Sequence, residues 1–232
     1  AALAPLLDEV RNSARPTLVI VTSDHGEGLG DHGEEAHGIF AYESTLRVPL
    51  IVASLGGQPA ASEAARQGEV SQVAARHVDI LPTILDAVGQ PVPDALPGRT
   101  LLPRKERQAG AAPRTTYFEA MSGMLNNGWA PLAGVIVDRD KFIDLPIAER
   151  FDLAADPAER SNLYGRSPER DRTLAAALTA FAPALPGHRA AEDPAAAASL
   201  RALGYVSGGA SPKAKYTEAD DPKRLIDLDT AI

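Results

Sequence analysis

Two residues with metal-binding side chains, Asp24 and His25, stand next to each other one residue after a short β-branched run, Thr17–Thr22. A carboxylate and an imidazole suit a divalent cation such as Ca²⁺, Mn²⁺, Mg²⁺ or Zn²⁺. Because consecutive strand residues point to opposite faces, both can reach one ion only where the backbone leaves the strand, and Gly26 permits this. Two ligands are too few for tight binding, so we expect the other ligands to come from elsewhere in the fold.

A third candidate, His37, follows in the same stretch. Residues 23–38 contain three histidines and five glycines, too many glycines for a helix, so we predict a loop. A loop that returns through glycines could bring His37 back over the same ion or over its anionic ligand. An imidazole can donate or accept a proton near neutral pH, which makes His37 a candidate catalytic residue. The alternative is a loop histidine that caps backbone groups. We interpret His32 as a residue that orders the loop.

The elements around this loop are typical of an α/β protein. Thr17–Thr22 is apolar on both faces, as in the central strand of a parallel sheet covered by helices. In open α/β sheets ligands bind beyond the carboxyl ends of strands, which is where Asp24 stands. A second strand, parallel to the first, is predicted at Val48–Ala53. Helices are predicted before the first strand, ending at residues 12–13, and over His77–Val88.

After residue 112 the pattern changes to short strands with tight connections, which predicts an antiparallel meander covered by a helix over Glu169–Phe181. The predicted fold class is α/β, part of a mostly parallel sheet with helices, plus a smaller C-terminal antiparallel sheet. We predict an α/β core with the metal loop at residues 1–105, the antiparallel subdomain at 106–208, and a linker or tail at 209–232. The strand candidates of the meander are Thr115–Glu119, Gly134–Asp138, Lys141–Asp144 and Arg150–Leu153.

Composition excludes several functional classes. The chain has 23 basic and 31 acidic residues, a net charge of −8, which argues against a nucleic-acid partner or an anionic membrane surface. The 232 residues contain no cysteine, which excludes disulfides, thiolate zinc sites, iron–sulfur clusters and a cysteine nucleophile among them. No stretch approaches the roughly 18 consecutive apolar residues of a membrane span. Asp8 and Glu9 interrupt the apolar part of the first segment, so we do not expect a signal peptide there.

The loop and its flanks resemble the late metal-site segment of the type I sulfatases, in the alkaline phosphatase superfamily. The matching residues are Ser-Asp-His-Gly-Glu at 23–27, Leu-Gly-Asp-His-Gly at 29–33, a cationic residue at His37, Tyr-Glu at 42–43 and Arg-Val-Pro-Leu-Ile at 47–51. Farther along, residues 77–88 resemble the family's Asp-x-x-Pro-Thr-x-Leu helix, residues 98–103 its follow-on, and residues 141–163 its C-terminal sheet. The resemblance covers most of residues 15–165.

The resemblance implies an alkaline-phosphatase-like fold, with Asp24 and His25 as metal ligands and His37 as a residue that contacts the ester or protonates its leaving group. It implies metal-dependent hydrolysis of sulfate esters, with Ca²⁺ as the ion and Mn²⁺ or Mg²⁺ as alternatives. The substrate would be a small-molecule or glycan sulfate or phosphate ester. Many sulfatases place a sulfate-binding lysine where this chain has His37, so a phosphodiesterase or phosphonate monoester hydrolase of the same superfamily is an alternative. The resemblance alone favours an extracytoplasmic location.

Two family motifs are missing from these residues: an early Asp-Asp pair that completes the metal site, and a Cys/Ser-x-Pro-x-Arg motif whose Cys or Ser becomes the formylglycine nucleophile. We therefore expect the C-terminal half of a sulfatase-like enzyme, inactive by itself, with the nucleophile upstream. A non-catalytic binding module is the other interpretation. The ending, residues 202–209 with 221–232, resembles the bridge to tetratricopeptide repeats in some bacterial proteins, which implies such repeats downstream.

Overall fold

The computed structural model describes residues 2–57, 68, 70–71, 73–102, 114–181 and 212–229. The chain forms two compact units, one of Ala1–Asp24 with Val48–Ala112 and one of His25–Arg47 with Pro113–Ile232. The sequence led us to predict one core at residues 1–105 that includes the loop. The loop His25–Arg47, however, groups with the second unit, because its return segment Ile39–Tyr42 is part of that unit's hydrophobic core. None of the described helices is long and apolar enough to cross a membrane.

In the first unit, helix α1 (Ala4–Asn12) leads into strand β1 (Thr17–Thr22), which pairs with strand β2 (Leu50–Leu55). The α/β class is confirmed. The prediction that these two strands run parallel is wrong, because the pairing is antiparallel. Apolar residues on both faces of a strand indicate how it is covered and carry no information about direction. A parallel neighbour usually needs a helical crossover, and the fully described connection here contains only a single-turn helix, α2 (Glu43–Leu46).

The helix predicted after the second strand is present as α3 (Ile80–Ala87), preceded by one turn of 3₁₀ helix. Asp79 is fully buried at its start, where its carboxylate accepts a hydrogen bond from the backbone N–H of Arg99 at 2.9 Å. One turn later, the hydroxyl of Thr83 accepts a hydrogen bond from the backbone N–H of Leu101 at 3.0 Å. The Asp-x-x-Pro-Thr pattern therefore fastens the following segment to this helix.

The second unit is built on a four-stranded antiparallel sheet in which consecutive strands pair with each other, which confirms the predicted meander. Helix α5 (Pro168–Thr179) covers one face, where Leu174 and Leu178 pack against Val135 and Phe142. The adjacent residue Ile143 belongs to the core on the other face, as the alternation of a strand requires. The elements are β3 (Thr115–Ala120), α4 (Ser122–Asn127), β4 (Leu132–Val137), β5 (Asp140–Asp144) and β6 (Glu149–Asp152).

Residues 209–232 were expected to be a linker or tail, but the described part, residues 212–229, packs on the second unit. Helix α6 (Pro222–Asp229) places Ile226 in the same core as the loop's return segment. Asp221 is fully buried before it and accepts a hydrogen bond from the backbone N–H of Ile147 at 2.7 Å. The polar composition of this segment gave no sign that Ile226 and Asp221 are buried. Composition is an average over the segment, whereas one or two buried residues are enough to pack it against the second unit.

Candidate active site

Asp24 lies two residues beyond the end of β1 and is exposed, the position expected of a ligand-binding residue at the end of a strand. His77 holds this end of the strand, since its Nε2 donates a hydrogen bond to the carbonyl oxygen of Ser23 at 2.8 Å. The sequence indicated only that His77 starts a helix. Its place just before the Asp-x-x-Pro-Thr helix was the one available signal for this supporting role.

His25 begins the second unit, and its ring stacks on the ring of His37 with centroids 3.8 Å apart and planes 28° apart. The Nδ1 atom of His25 lies 2.8 Å from the carbonyl oxygen of Gly26. A carbonyl oxygen only accepts, so Nδ1 carries the proton and Nε2 is the ring nitrogen suited to a metal. The loop therefore returns His37 to a predicted ligand, as the glycine spacing led us to expect.

Glu27 lies beside His37 in this arrangement. The Nδ1 atom of His37 is 3.3 Å from each of the two carboxylate oxygens of Glu27. The two side chains are 45% and 43% exposed, so a solute can reach them. Glu27 belongs to the motif that carries the family resemblance, but the sequence did not indicate what it contacts.

The turn that carries His37 is held by backbone pairing and by one buried carboxylate. The N–H of Gly28 donates to the carbonyl oxygen of Ala36 at 2.7 Å. Glu34 is 3% exposed and accepts hydrogen bonds from the backbone N–H groups of Ile39 at 2.7 Å and Phe40 at 3.3 Å. Burial raises the pKa of the Glu34 carboxyl, and these hydrogen bonds oppose that shift. The loop is thus a closed, internally bonded structure.

His32 orders the loop, in agreement with its interpretation from the sequence. Its ring stacks on the ring of Tyr42 with centroids 3.6 Å apart. Its Nε2 atom donates a hydrogen bond to the carbonyl oxygen of Glu159 at 3.0 Å, and its Nδ1 atom lies 3.1 Å from the Asp31 carboxylate. These contacts join the loop to the segment that follows β6.

A buried lysine lies at the end of the loop. The side chain of Lys141, on β5, is fully buried, with Nζ 2.8 Å from a carboxylate oxygen of Glu159 and 3.6 Å from one of Glu43. Glu159 also accepts a hydrogen bond from the backbone N–H of Glu43, the first residue of α2, at 2.5 Å. Burial raises the pKa of the Glu159 carboxyl, and the Lys141 ammonium opposes the shift. Lys141 therefore supports the helix that closes the loop.

Lys141→Met is expected to lower the free energy of unfolding by about 3–5 kcal/mol, because it leaves Glu159 buried without its cation. Chemical denaturation followed by circular dichroism measures the change. Combining Lys141→Met with Glu159→Gln removes both charges and should recover much of the loss. Lys215→Met, at an exposed position, is the matched control. A loss below about 1 kcal/mol for Lys141→Met would contradict a buried Glu159 carboxylate that depends on this cation.

Among the described residues, no group of three or more His, Asp or Glu side chains is arranged to hold a metal ion.

The family model described as Sulfatase matches residues 1–90, which include β1, the loop, β2 and α3. The chain is 30% identical over 164 residues to the multifunctional alkaline phosphatase superfamily protein PehA of Trinickia caryophylli, covering 64% of this chain and 30% of that protein. It is also 30% identical over 159 residues to an N-acetylglucosamine-6-O-sulfatase of Bacteroides thetaiotaomicron, covering 65% and 27%.

The chain is sulfatase-like, similar over these residues to proteins of the alkaline phosphatase superfamily. Among solved structures, this sulfatase-like chain is similar to one determined in complex with its substrate D-glucosamine-2-N,6-O-disulfate, with a TM-score of 0.55, 26% identity, and coverage of 71% of this chain and 34% of the other. A candidate sulfatase from Bacteroides thetaiotaomicron gives a TM-score of 0.53, 26% identity, and coverage of 72% and 35%. The chain spans about 30% of the length of the curated relatives named above.

Proposed function

We propose that this chain supplies the late metal-binding loop of a sulfate-ester hydrolase, with Asp24 and His25 as ligands of a divalent cation and His37 at the ester. The observation that carries the proposal is the stacking of His37 on His25 with ring centroids 3.8 Å apart, which supports a role for both side chains in one site. The relatives support the substrate class. One is named an N-acetylglucosamine-6-O-sulfatase, and one similar structure contains a disulfated glucosamine as substrate. We therefore propose a small-molecule or glycan sulfate ester.

The donor set fits a divalent cation, because an exposed carboxylate and an imidazole with its proton on Nδ1 are both suitable ligands. We propose Ca²⁺, with Mn²⁺ or Mg²⁺ as alternatives. Ca²⁺ takes six to eight ligands, so the others and the formylglycine nucleophile would come from outside these 232 residues. When bound, such an ion supplies positive charge against the ester oxygens.

Within the chain, His37 would act on the leaving group. Its imidazole can hydrogen-bond the bridging oxygen of the ester or transfer a proton to it as the bond to sulfur breaks. The same residue favours a second candidate function, hydrolysis of phosphodiesters or phosphonate monoesters, because many sulfatases have a lysine at this position. An extracytoplasmic location is also part of the proposal, supported by a Drosophila melanogaster relative named an extracellular sulfatase, 34% identical over 87 residues.

The test compares the 232-residue chain with the full-length protein in hydrolysis of a nitrophenyl sulfate and a nitrophenyl phosphodiester, with added Ca²⁺ or Mn²⁺. We expect no turnover by the chain alone, since no side chain in its loop is suited to replace the nucleophile, and turnover by the full-length protein. The preferred ester distinguishes the two candidate functions. Turnover by the 232-residue chain alone would refute the proposal that the active site also needs residues outside this chain. A full-length protein that hydrolyses neither ester would instead indicate a binding module.

A further inference from the structure

We propose that Glu27 is a positioning residue that fixes the tautomer and orientation of His37, so that Nε2 of His37 is the nitrogen presented to the ester. The catalytic consequence rests on the function proposed above. The tautomer itself is a property of the loop and can be measured without any reaction.

The carboxylate of Glu27 determines where the proton of a neutral His37 ring resides. Both oxygens of Glu27 lie 3.3 Å from Nδ1 of His37. An ionised carboxylate can only accept hydrogen bonds, so the contact requires a proton on Nδ1. In the neutral ring Nε2 then carries the lone pair, and in the doubly protonated ring Nε2 carries the proton that can be donated outward.

Two independent contacts restrain the His37 ring. Stacking on His25, with 28° between the planes, restrains the plane of the ring. The contact with Glu27 selects between the two orientations related by a 180° turn about χ2, which stacking leaves open. Together they specify which edge of the ring faces away from the loop.

The loop backbone is built to bring Glu27 and His37 together. Each lies next to one partner of the hydrogen bond between the N–H of Gly28 and the carbonyl oxygen of Ala36, at 2.7 Å. The backbone approach is so close that a Cβ atom on Gly28 would lie 2.3 Å from the carbonyl oxygen of Glu34. Glycine at residue 28 therefore permits the pairing that places the carboxylate beside the imidazole.

The contact between Glu27 and His37 determines which nitrogen of His37 would protonate the leaving-group oxygen. As the nucleophile outside this chain forms its bond to sulfur or phosphorus and the bond to the bridging oxygen breaks, the proton on Nε2 of a doubly protonated His37 ring would move to that oxygen. The ring keeps the N–H electron pair on Nε2 and retains its other proton on Nδ1, against Glu27. Glu27, although partly exposed, thus stabilises the tautomer that the transfer produces, as the carboxylate behind a catalytic histidine does.

Nuclear magnetic resonance of ¹⁵N-labelled imidazoles in the 232-residue chain tests the tautomer directly. His37→Gln assigns the signal, and the spectra are recorded without metal at a pH where the ring is neutral. We expect the Nδ1–H tautomer in the wild type and in Glu27→Gln, whose amide oxygen still accepts, and a shift toward Nε2–H in Glu27→Ala. Glu35→Ala, an exposed glutamate of the same loop, is the control and should change nothing. An Nε2–H ring in the wild type, or no change in Glu27→Ala, would overturn the inference.

Kinetics of the full-length protein test the consequence. Glu27→Ala should lower kcat about 10–100-fold with KM little changed, and Glu27→Gln should restore part of the rate. In a His37→Ala background, Glu27→Ala should have no further effect, because the two residues act as one unit. Equal losses in both backgrounds would make Glu27 a structural residue and overturn the proposal. Should the full-length protein hydrolyse no ester, the proposed function fails while the tautomer measurement still decides the role of Glu27.

Discussion

Asp24→Ala should abolish ester hydrolysis by the full-length protein. Asp24 is the charged member of the proposed ligand pair, and it is exposed two residues beyond the end of β1. A bound cation contributes several kcal/mol of charge stabilisation in the transition state, so its loss corresponds to a fall in kcat/KM of about 10³-fold or more. The measurement is kcat/KM for a nitrophenyl sulfate together with the metal content of the purified protein.

The control for Asp24→Ala is Asp8→Ala. Asp8 is exposed and pairs with Arg11 across one helical turn, so its removal should leave activity and metal content unchanged. Asp24→Asn keeps the shape of the side chain and removes its charge, and it should lose nearly as much activity as the alanine variant. Activity of Asp24→Ala within about tenfold of the wild type would remove Asp24 from the metal site.

The parts of the fold that could be predicted are those encoded by neighbouring residues. The meander was predictable because Val137 and Asp140 frame a two-residue turn, which brings consecutive strands together. Asp79 and Thr83 were recognisable as a motif, and the structure shows that they bond the segment after the helix. The direction of β2 relative to β1 was not predictable, because it depends on the course of the whole connection between the two strands.

The candidate site also has parts that could be predicted from the sequence and parts that could not. The return of His37 toward His25 could be inferred from glycine spacing, because glycines permit the tight backbone pairing that closes the loop. Lys141 could not be recognised, because a lysine next to Phe142 on a strand normally faces solvent. Its partner Glu159 is brought near only by the tertiary fold. A buried charged residue therefore cannot be predicted from the sequence until the position of its partner in the fold is known.

His37→Ala is expected to lower kcat by roughly 10²–10⁴ in the full-length protein, the usual contribution of a positioned general acid, with a smaller change in KM. The size of the loss should depend on the leaving group. A nitrophenolate leaves readily without a proton, so the loss with nitrophenyl sulfate should fall at the low end of that range. An alkyl or glycan sulfate releases a basic alkoxide, which needs the proton, so its loss should fall at the high end.

His37→Lys separates proton donation from simple attraction of the anion. A lysine ammonium can bind the ester oxygens, but it donates a proton poorly at neutral pH because the unperturbed pKa of lysine is about 10.4. We therefore expect the lysine variant to retain a KM near that of the wild type while its kcat for an alkyl sulfate stays low. The measurement is the ratio of kcat for alkyl and nitrophenyl sulfates in the wild type, His37→Ala and His37→Lys. A loss of equal size for both esters, with kcat restored by lysine, would show that His37 acts by charge and not by proton transfer.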